Sequence, residues 1–273
     1  MPLVFELKES SSIPLEVDSI SFPSVQNRST DEILRTPIQR GNKEVELGEF
    51  FNVTGTADDD HEMRWQGDLA KVKLIANKLA SGRVVVEGNV GMHLGAEMTG
   101  GEIVVHGNTA DWLGAEMHGG RIRVHGNAGH LIGAAYRGGR RGMTGGEILI
   151  DGNAGNEVGH TMRRGLIAVG GNVGDATAFN MIAGTVFVFG ETGIRPGAGM
   201  RRGTIGLLGA NSATDLLPTF QYACTFRPQF LTVYLRHLRS LNFPLPDDCF
   251  DIDYRRYSGD FLELGKGEVL LRA

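Results

Sequence analysis

A chain of 273 residues with 41% hydrophobic content is long enough for one or two packed domains. Its net charge of −5, spread over both signs, offers no reason to expect nucleic acid as a partner. Cys224 and Cys249 stand far apart without any Cys-x-x-Cys, which points to neither a disulfide framework nor a zinc or iron–sulfur site. The first residues lack a basic segment followed by a long apolar core, and no run approaches about 18 apolar residues, so a soluble, cytoplasmic protein is expected.

Residues 1 to 63 are not repetitive. Apolar and polar residues alternate over 3 to 8 and 46 to 53, which predicts two strands. Between them, residues 21 to 43 are polar, are punctuated by Pro23 and Pro37, and predict one short helix capped by Asp31. Residues 54 to 61 read as an acidic loop. Residues 63 to 75 look like a degenerate first repeat, because Gly67-Asp68 precedes the Gly88-Asn89 pair of the first clear one.

From residue 81 to 210 one phrase is written seven times. Its opening glycines are Gly82, Gly101, Gly120, Gly146, Gly165, Gly184 and Gly203, and its closing glycines are Gly88, Gly107, Gly126, Gly152, Gly171, Gly190 and Gly209. Both series step by 19 residues, except for a single step of 26, so the register is lost once by a 7-residue insertion. The 40 glycines, roughly twice the usual frequency, therefore mark periodic turns rather than disorder. Two columns are apolar in every copy, Val84 to Ile205 and Val86 to Leu207, and lie two residues apart, so they share one strand face. A repeat this short suits one coil of a parallel β-helix, with a short strand on each of two or three sides and right-handed crossovers.

Other columns have structural explanations. Met98, Met117, Tyr136, Met162, Met181 and Met200 are expected to stack inside as fillers. Asn89, Asn108, Asn127, Asn153 and Asn172 suit left-handed corners with amides bonding along the column. Arg83, Glu102, Arg121 and Glu147 alternate in sign and predict weak surface pairs. Glu87, His106, His125 and Asp151 form a second outward column, which strand spacing explains without a metal. After the repeats, residues 230 to 241 read as an amphipathic helix stopped by Pro244 and Pro246, and 251 to 273 as a mixed tail.

These readings give an all-β fold: a single-stranded right-handed parallel β-helix of about seven 19-residue coils over residues 64 to 210. An N-terminal strand and loop cap covers 1 to 63, and a C-terminal cap with one helix covers 211 to 273. No Gly-x-Ser-x-Gly, His-Glu-x-x-His or Walker-type loop is present, so no catalytic, cofactor-binding or metal-ligating residue is assigned. Gly197-Ala198-Gly199 belongs to the period and opens no helix. The insertion, between Tyr136 and Met143, carries Arg137, Arg140 and Arg141. Arg163, Arg164, Arg201 and Arg202 lie on the same corner of later coils, with Arg195 near. This arginine edge is a candidate for docking an acidic subunit surface or a polyanion.

The repeat phrase resembles the Gly-x-Gly-x-Gly β-helix domain of the glutamate synthase large subunit and of the C subunit of formylmethanofuran dehydrogenase. Arg140-Arg141-Gly142-Met143 narrows it to the C subunit. So do Leu217-Pro218-Thr219-Phe220, the stretch from Phe230 to Leu238, Tyr254-Arg255-Arg256-Tyr257 and Glu263-Leu264-Gly265-Lys266. Residues 9 to 45 depart from the compact start such chains have. The resemblance implies a non-catalytic structural subunit, with A, B and D type partners, in one-carbon metabolism. The complex would be either formylmethanofuran dehydrogenase or the formyltransferase/hydrolase complex that takes formyl-tetrahydromethanopterin to formate. It implies methanofuran or an analogue as the complex's carrier, with a glutamate-rich tail, and a molybdenum or tungsten pterin on other chains only for the dehydrogenase. The alternative is a glutamate-synthase-type spacer in an ammonia-transferring flavoenzyme.

Overall fold

The computed structural model describes residues 2 to 58, 60 to 210 and 216 to 273. The acidic loop expected over 54 to 61 contains Asp59, and the boundary expected at 211 opens the stretch 211 to 215. Both lie outside the described residues.

The fold is mostly β. Among the described residues, thirteen strands form one sheet in the order Phe51–Thr54, Leu3–Leu7, Glu62–Gln66, Arg83–Glu87, Glu102–Val105, Arg121–Val124, Glu147–Ile150, Leu166–Val169, Thr185–Val188, Arg202–Leu207, Lys266–Arg272, Tyr254–Gly259, Gln221–Phe226. The repeat strands pair in parallel and in register, so Val84, Ile103, Ile122, Ile148, Ile167, Val186 and Ile205 sit one above another. All are fully buried, as is the column from Val86 to Leu207. The suspected degenerate repeat joins the stack, pairing Met63 with Val84 and Trp65 with Val86.

Stacking explains why glycine recurs. Gly101 has φ +78, and a Cβ there would lie 2.7 Å from the Gly82 carbonyl oxygen of the coil beneath. Gly107 has no such φ, yet a Cβ would meet the Gly88 backbone at 2.4 Å. Gly101 thus serves both a turn and a close backbone approach, and Gly107 a close approach alone.

The expectation of a strand on each of two or three sides needs correction. One side of each coil is a regular strand, and the next is a single bridge, running Leu69, Val90, Thr109, Ala128, Ala154, Val173, Thr192. The third alternates left-handed residues, as in His93, Gly95 and Glu97 (φ 65, 64 and 55). Alternation points successive amides up and down the stack: His93 and Glu97 donate to Asp111 and Ala115 of the following coil, and Gly95 to Ile75 of the preceding one. Those bonds offset the roughly 1–2 kcal/mol that a left-handed non-glycine residue costs.

Two further expectations change. The methionine ladder runs Met98, Met117, Met143, Met162, Met181, Met200, all fully buried, because the insertion precedes the ladder position and pushes Tyr136 out to the surface side. The asparagines do not take left-handed φ. Each Oδ1 instead accepts the backbone N–H of the next member, as from Asn108 to Asn89 at 2.9 Å and from Asn127 to Asn108 at 2.7 Å. A similar ladder that the sequence did not suggest follows Asp111, His130, Asn156 and Asp175. The charged column does pair as expected, Glu102 lying 3.4 Å from Arg83 and 3.7 Å from Arg121.

At the amino end, the predicted strand over 46 to 53 is broken by a 3-10 turn at Leu47–Glu49 between Lys43–Glu46 and Phe51–Thr54. Two helices, α1 (Phe22–Val25) and α2 (Thr30–Leu34), replace the single one. Ser29 rather than Asp31 caps α2, in a capping box with Glu32. Leu3–Leu7 lies parallel to Glu62–Gln66, and Phe5 stacks on Trp65 with centroids 4.3 Å apart. A four-stranded sheet of Lys43–Glu46, Pro37–Arg40, Leu15–Glu16 and Val72–Lys73 completes this end.

At the carboxyl end, the mixed tail is two strands, of which Lys266–Arg272 pairs parallel with Arg202–Leu207 and continues the stack. The expected helix is α3 (Gln229–Ser240), whose Leu231, Leu235 and Leu238 pack on Leu149, Ala168 and Phe187. Those three occupy the outward column that holds Arg123 one coil earlier. The sheet's outer face therefore turns apolar where the helix covers it.

Candidate functional site

Arg163 and Arg164 stand where each coil turns toward its opening glycine. The Arg163 amide donates to the Met143 carbonyl at 2.8 Å, and Arg201 repeats the bond to Met181 two coils later. The coil between puts Ile182 and Ala183 at that corner, its Ile182 amide bonded to Met162. Two arginine pairs, about 10 Å apart at the usual strand spacing, thus flank a small apolar floor. They line a groove of about 560 Å³, walled by Tyr234 of α3 and by Leu264. A second groove of about 410 Å³ shares Arg163 and Arg164 and adds Arg141, His118, Thr144 and Glu116.

Five of the seven candidate arginines therefore gather along one edge: Arg141, Arg163, Arg164, Arg201 and Arg202. Arg137 and Arg140 are exposed on the insertion and line neither groove. Arg195 stands in the left-handed column of His93 and Trp112 at another corner (φ 59). Arg201 meets Glu263 at 3.2 Å, and the other four have no ion-pair partner among the described residues. Tyr234, Glu263 and Leu264 come from outside the repeat, so periodicity could not have found them.

The insertion is anchored by an aromatic stack. Tyr136 lies on Trp112 with centroids 5.2 Å apart, and its hydroxyl is 3.1 Å from His93 Nδ1. Burial, then the charges of Glu97 and Glu116, push the phenol up to about 12. Burial, then Lys73, hold His93 below the usual imidazole range, so the ring is neutral and its Nδ1 shares a hydrogen bond with the phenol. Both shifts have consequences for stability. A phenol raised in the fold stabilises fully below its unfolded value of about 10 and loses that as pH rises toward 12. An imidazole lowered in the fold stabilises above about 6.5 and loses that as pH falls below it. We expect a plateau between those limits in urea midpoint against pH, and expect Tyr136→Phe to remove the alkaline limb that this site contributes.

The histidine column is held by a hydrogen bond, a ring stack and one ion pair. His125 Nδ1 is 2.7 Å from Asp151, His106 stacks on His125 at 5.3 Å, and Asp151 also meets Arg123 at 2.5 Å. Among the described residues no group of three or more His, Cys, Asp or Glu is placed to hold a metal ion. Cys224 is exposed, and Cys249 is buried with its thiol pushed up by that burial. No helix among the described residues is long and apolar enough to cross a membrane.

No protein-family model matches the chain. It is 43% identical over 95 residues to the C subunit of the molybdenum-containing formylmethanofuran dehydrogenase 1 of Methanothermobacter marburgensis, covering 35% of this chain and 24% of that protein. It is 37% identical over 97 residues to the C subunit of the tungsten-containing formylmethanofuran dehydrogenase 2 of Methanothermobacter wolfeii, covering 34% of this chain and 36% of that one. The matched segments span between about a quarter and about a third of those curated relatives. A chain of the crystal structure of the formyltransferase/hydrolase complex from Methylorubrum extorquens, in complex with methylofuran, superposes with a TM-score of 0.89 at 31% identity over 99% of both chains. Similarity over the whole length, cap and tail included, goes beyond what a shared glycine repeat produces: the chain belongs to the C-subunit family common to formylmethanofuran dehydrogenase and the formyltransferase/hydrolase complex.

Proposed function

We propose that this chain is a non-catalytic structural C subunit of a formyl-carrier complex, of the formyltransferase/hydrolase type. The observation that carries this is the 99% mutual coverage with the Methylorubrum chain. The dehydrogenase is the second reading, favoured by the higher identity to its C subunit over about a third of the chain. In either complex the chain assembles with A, B and D type subunits and serves a methanofuran-like carrier, binding no cofactor by itself. A molybdenum or tungsten pterin belongs only to the dehydrogenase, on other chains. The glutamate-synthase spacer loses ground because the likeness extends through α3 and the tail.

The same reading describes the body as a right-handed parallel β-helix of about seven 19-residue coils over 64 to 210, with caps over 1 to 63 and 211 to 273. Its support is the in-register parallel strand recurring in each coil. Glu62–Gln66 crosses the first boundary and starts the column. Arg137, Arg140, Arg141, Arg163, Arg164, Arg201 and Arg202 would make the docking edge, supported by the lack, among the described residues, of an ion-pair partner for any of them but Arg201.

Mass spectrometry of the native complex, purified through a tag on this chain, tests the assignment. A formyltransferase partner without pterin or iron–sulfur chains is expected, and a pterin-binding partner would move the chain to the dehydrogenase. Appreciable turnover by the isolated chain would sink the structural role. Charge reversal at both Arg140→Glu and Arg141→Glu is expected to lower partner or carrier retention several-fold, and unchanged retention would remove the insertion from the edge.

A further inference from the structure

The turn between Tyr254–Gly259 and Lys266–Arg272 displays Phe261, Leu262 and Leu264 at 51%, 81% and 55% exposure. Three large apolar side chains within four residues form a surface patch that isolated exposed leucines do not. Their backbone is tightly held. Asp260 is 3% exposed, and its carboxylate accepts the amides of Leu262 at 2.9 Å and Gly199 at 3.1 Å. Its carbonyl accepts from Glu263 at 3.1 Å and Gly265 at 3.0 Å, while the Phe261 amide donates to the Thr219 carbonyl at 3.1 Å. Burial opposes the Asp260 charge, but those amide bonds outweigh it and hold the carboxyl below the usual range. At Gly265 (φ +61) a Cβ would sit 2.8 Å from the Phe261 ring, so glycine lets that ring lie against the turn. The result is an apolar knob on a pre-formed turn, which a partner can cover without first ordering it.

The knob adjoins the arginine groove, since Leu264 is one of its walls. Arg201 is occupied by Glu263 from the knob itself, while Arg163, Arg164 and Arg202 form no ion pair among the described residues, Glu116 lying along the neighbouring groove. An apolar centre with an arginine rim is the anatomy of a protein–protein interface, and the bare guanidiniums state what the other side must carry. A two-fold contact between copies of this chain would set arginine rim against arginine rim, which disfavours self-association through this face.

We propose that the turn at residues 260 to 265, together with Arg163, Arg164 and Arg202, docks a different protein subunit, whose facing surface has an apolar socket flanked by Asp or Glu. This rests on the subunit reading above and adds to it which face is covered and by what chemistry. The test uses the full chain produced together with its partners, with recovery of partner read by native mass spectrometry at low and high salt. Leu262→Asp is expected to cut partner recovery at least tenfold. Arg202→Glu should cut it several-fold with a weakened salt dependence, and Arg202→Lys should restore most of it. Leu262 is too exposed to support the fold, so the isolated Leu262→Asp chain should melt with the wild type. If it does not, Leu262→Ser, which adds no charge, replaces it in the same assay. Wild-type recovery of partner by the position 262 variant that keeps the wild-type melt overturns the surface while leaving the subunit role standing. A wild-type chain that captures no partner overturns both, and a homodimer dissolved by Leu262→Asp overturns the hetero-subunit assignment.

Discussion

Replacing Gly101 with alanine is expected to cost about 2 to 5 kcal/mol, read as a lowered denaturant midpoint. Two independent penalties meet there. A non-glycine residue at φ +78 pays roughly 1–2 kcal/mol. The new methyl would then lie 2.7 Å from the Gly82 carbonyl oxygen and 3.0 Å from the Ser81 carbonyl carbon, and backbone locked in a stack cannot step aside as a flexible side chain would. Overpacking of that kind adds about 1–3 kcal/mol. Gly138 provides the control, because it has φ +87 but nothing within 4 Å of an added Cβ. Gly138→Ala should pay the conformational part alone, about 1–2 kcal/mol. Equal losses at the two sites would show that contact between coils is not what demands glycine in the opening column.

The two positions also show how far the sequence could be read. A period of 19 residues reveals that something repeats, and alternation within it reveals an inward face, because both follow from geometry that every coil shares. What breaks the period is less visible. Tyr136 falls on the methionine spacing, yet Met143 fills the ladder, since counting residues cannot say on which side of a ladder position an insertion lies. The left-handed third side was hidden because residues as different as His93, Trp112 and Glu157 share one φ, held by bonds between coils and not by local preference. The arginines were legible by type, but their groove was not. Its walls, Tyr234 and Leu264, come from a helix and a turn that return to the stack only in three dimensions. A signal for that return was present: the outward column changes from Arg123 to Leu149, Ala168 and Phe187, and a strand face that turns apolar needs a cover.

The border of that covered face sets up the second large effect, in which Asp151→Ala is expected to destabilise by about 2 to 4 kcal/mol while Arg123→Met costs about 1 kcal/mol or less. Arg123 is 7% exposed, lies under the Phe243 ring with its Cζ 5.0 Å from the centroid, and donates to the Asn242 carbonyl at 3.2 Å. Its Nε and Nη1 are buried without partners, so Asp151, 2.5 Å from Nη2, is the only carboxylate paired with it among the described residues. Deleting the carboxylate strands a buried guanidinium, for which losses of about 3–5 kcal/mol are usual. The 20% exposure of the Asp151 side chain places this case toward the lower end. Deleting the guanidinium instead leaves Asp151 with His125 at 2.7 Å and some access to water, and methionine can refill the space beneath Phe243. The double variant should therefore recover most of what Asp151→Ala loses, giving a coupling of about 1–3 kcal/mol in a double-mutant cycle. Additive losses would mean the pair is not coupled. Because Asn242 lies just beyond α3, Asp151→Ala should also speed amide exchange along α3 more than in the strands beneath it. That would link the ion pair to the helix whose Tyr234 walls the arginine groove.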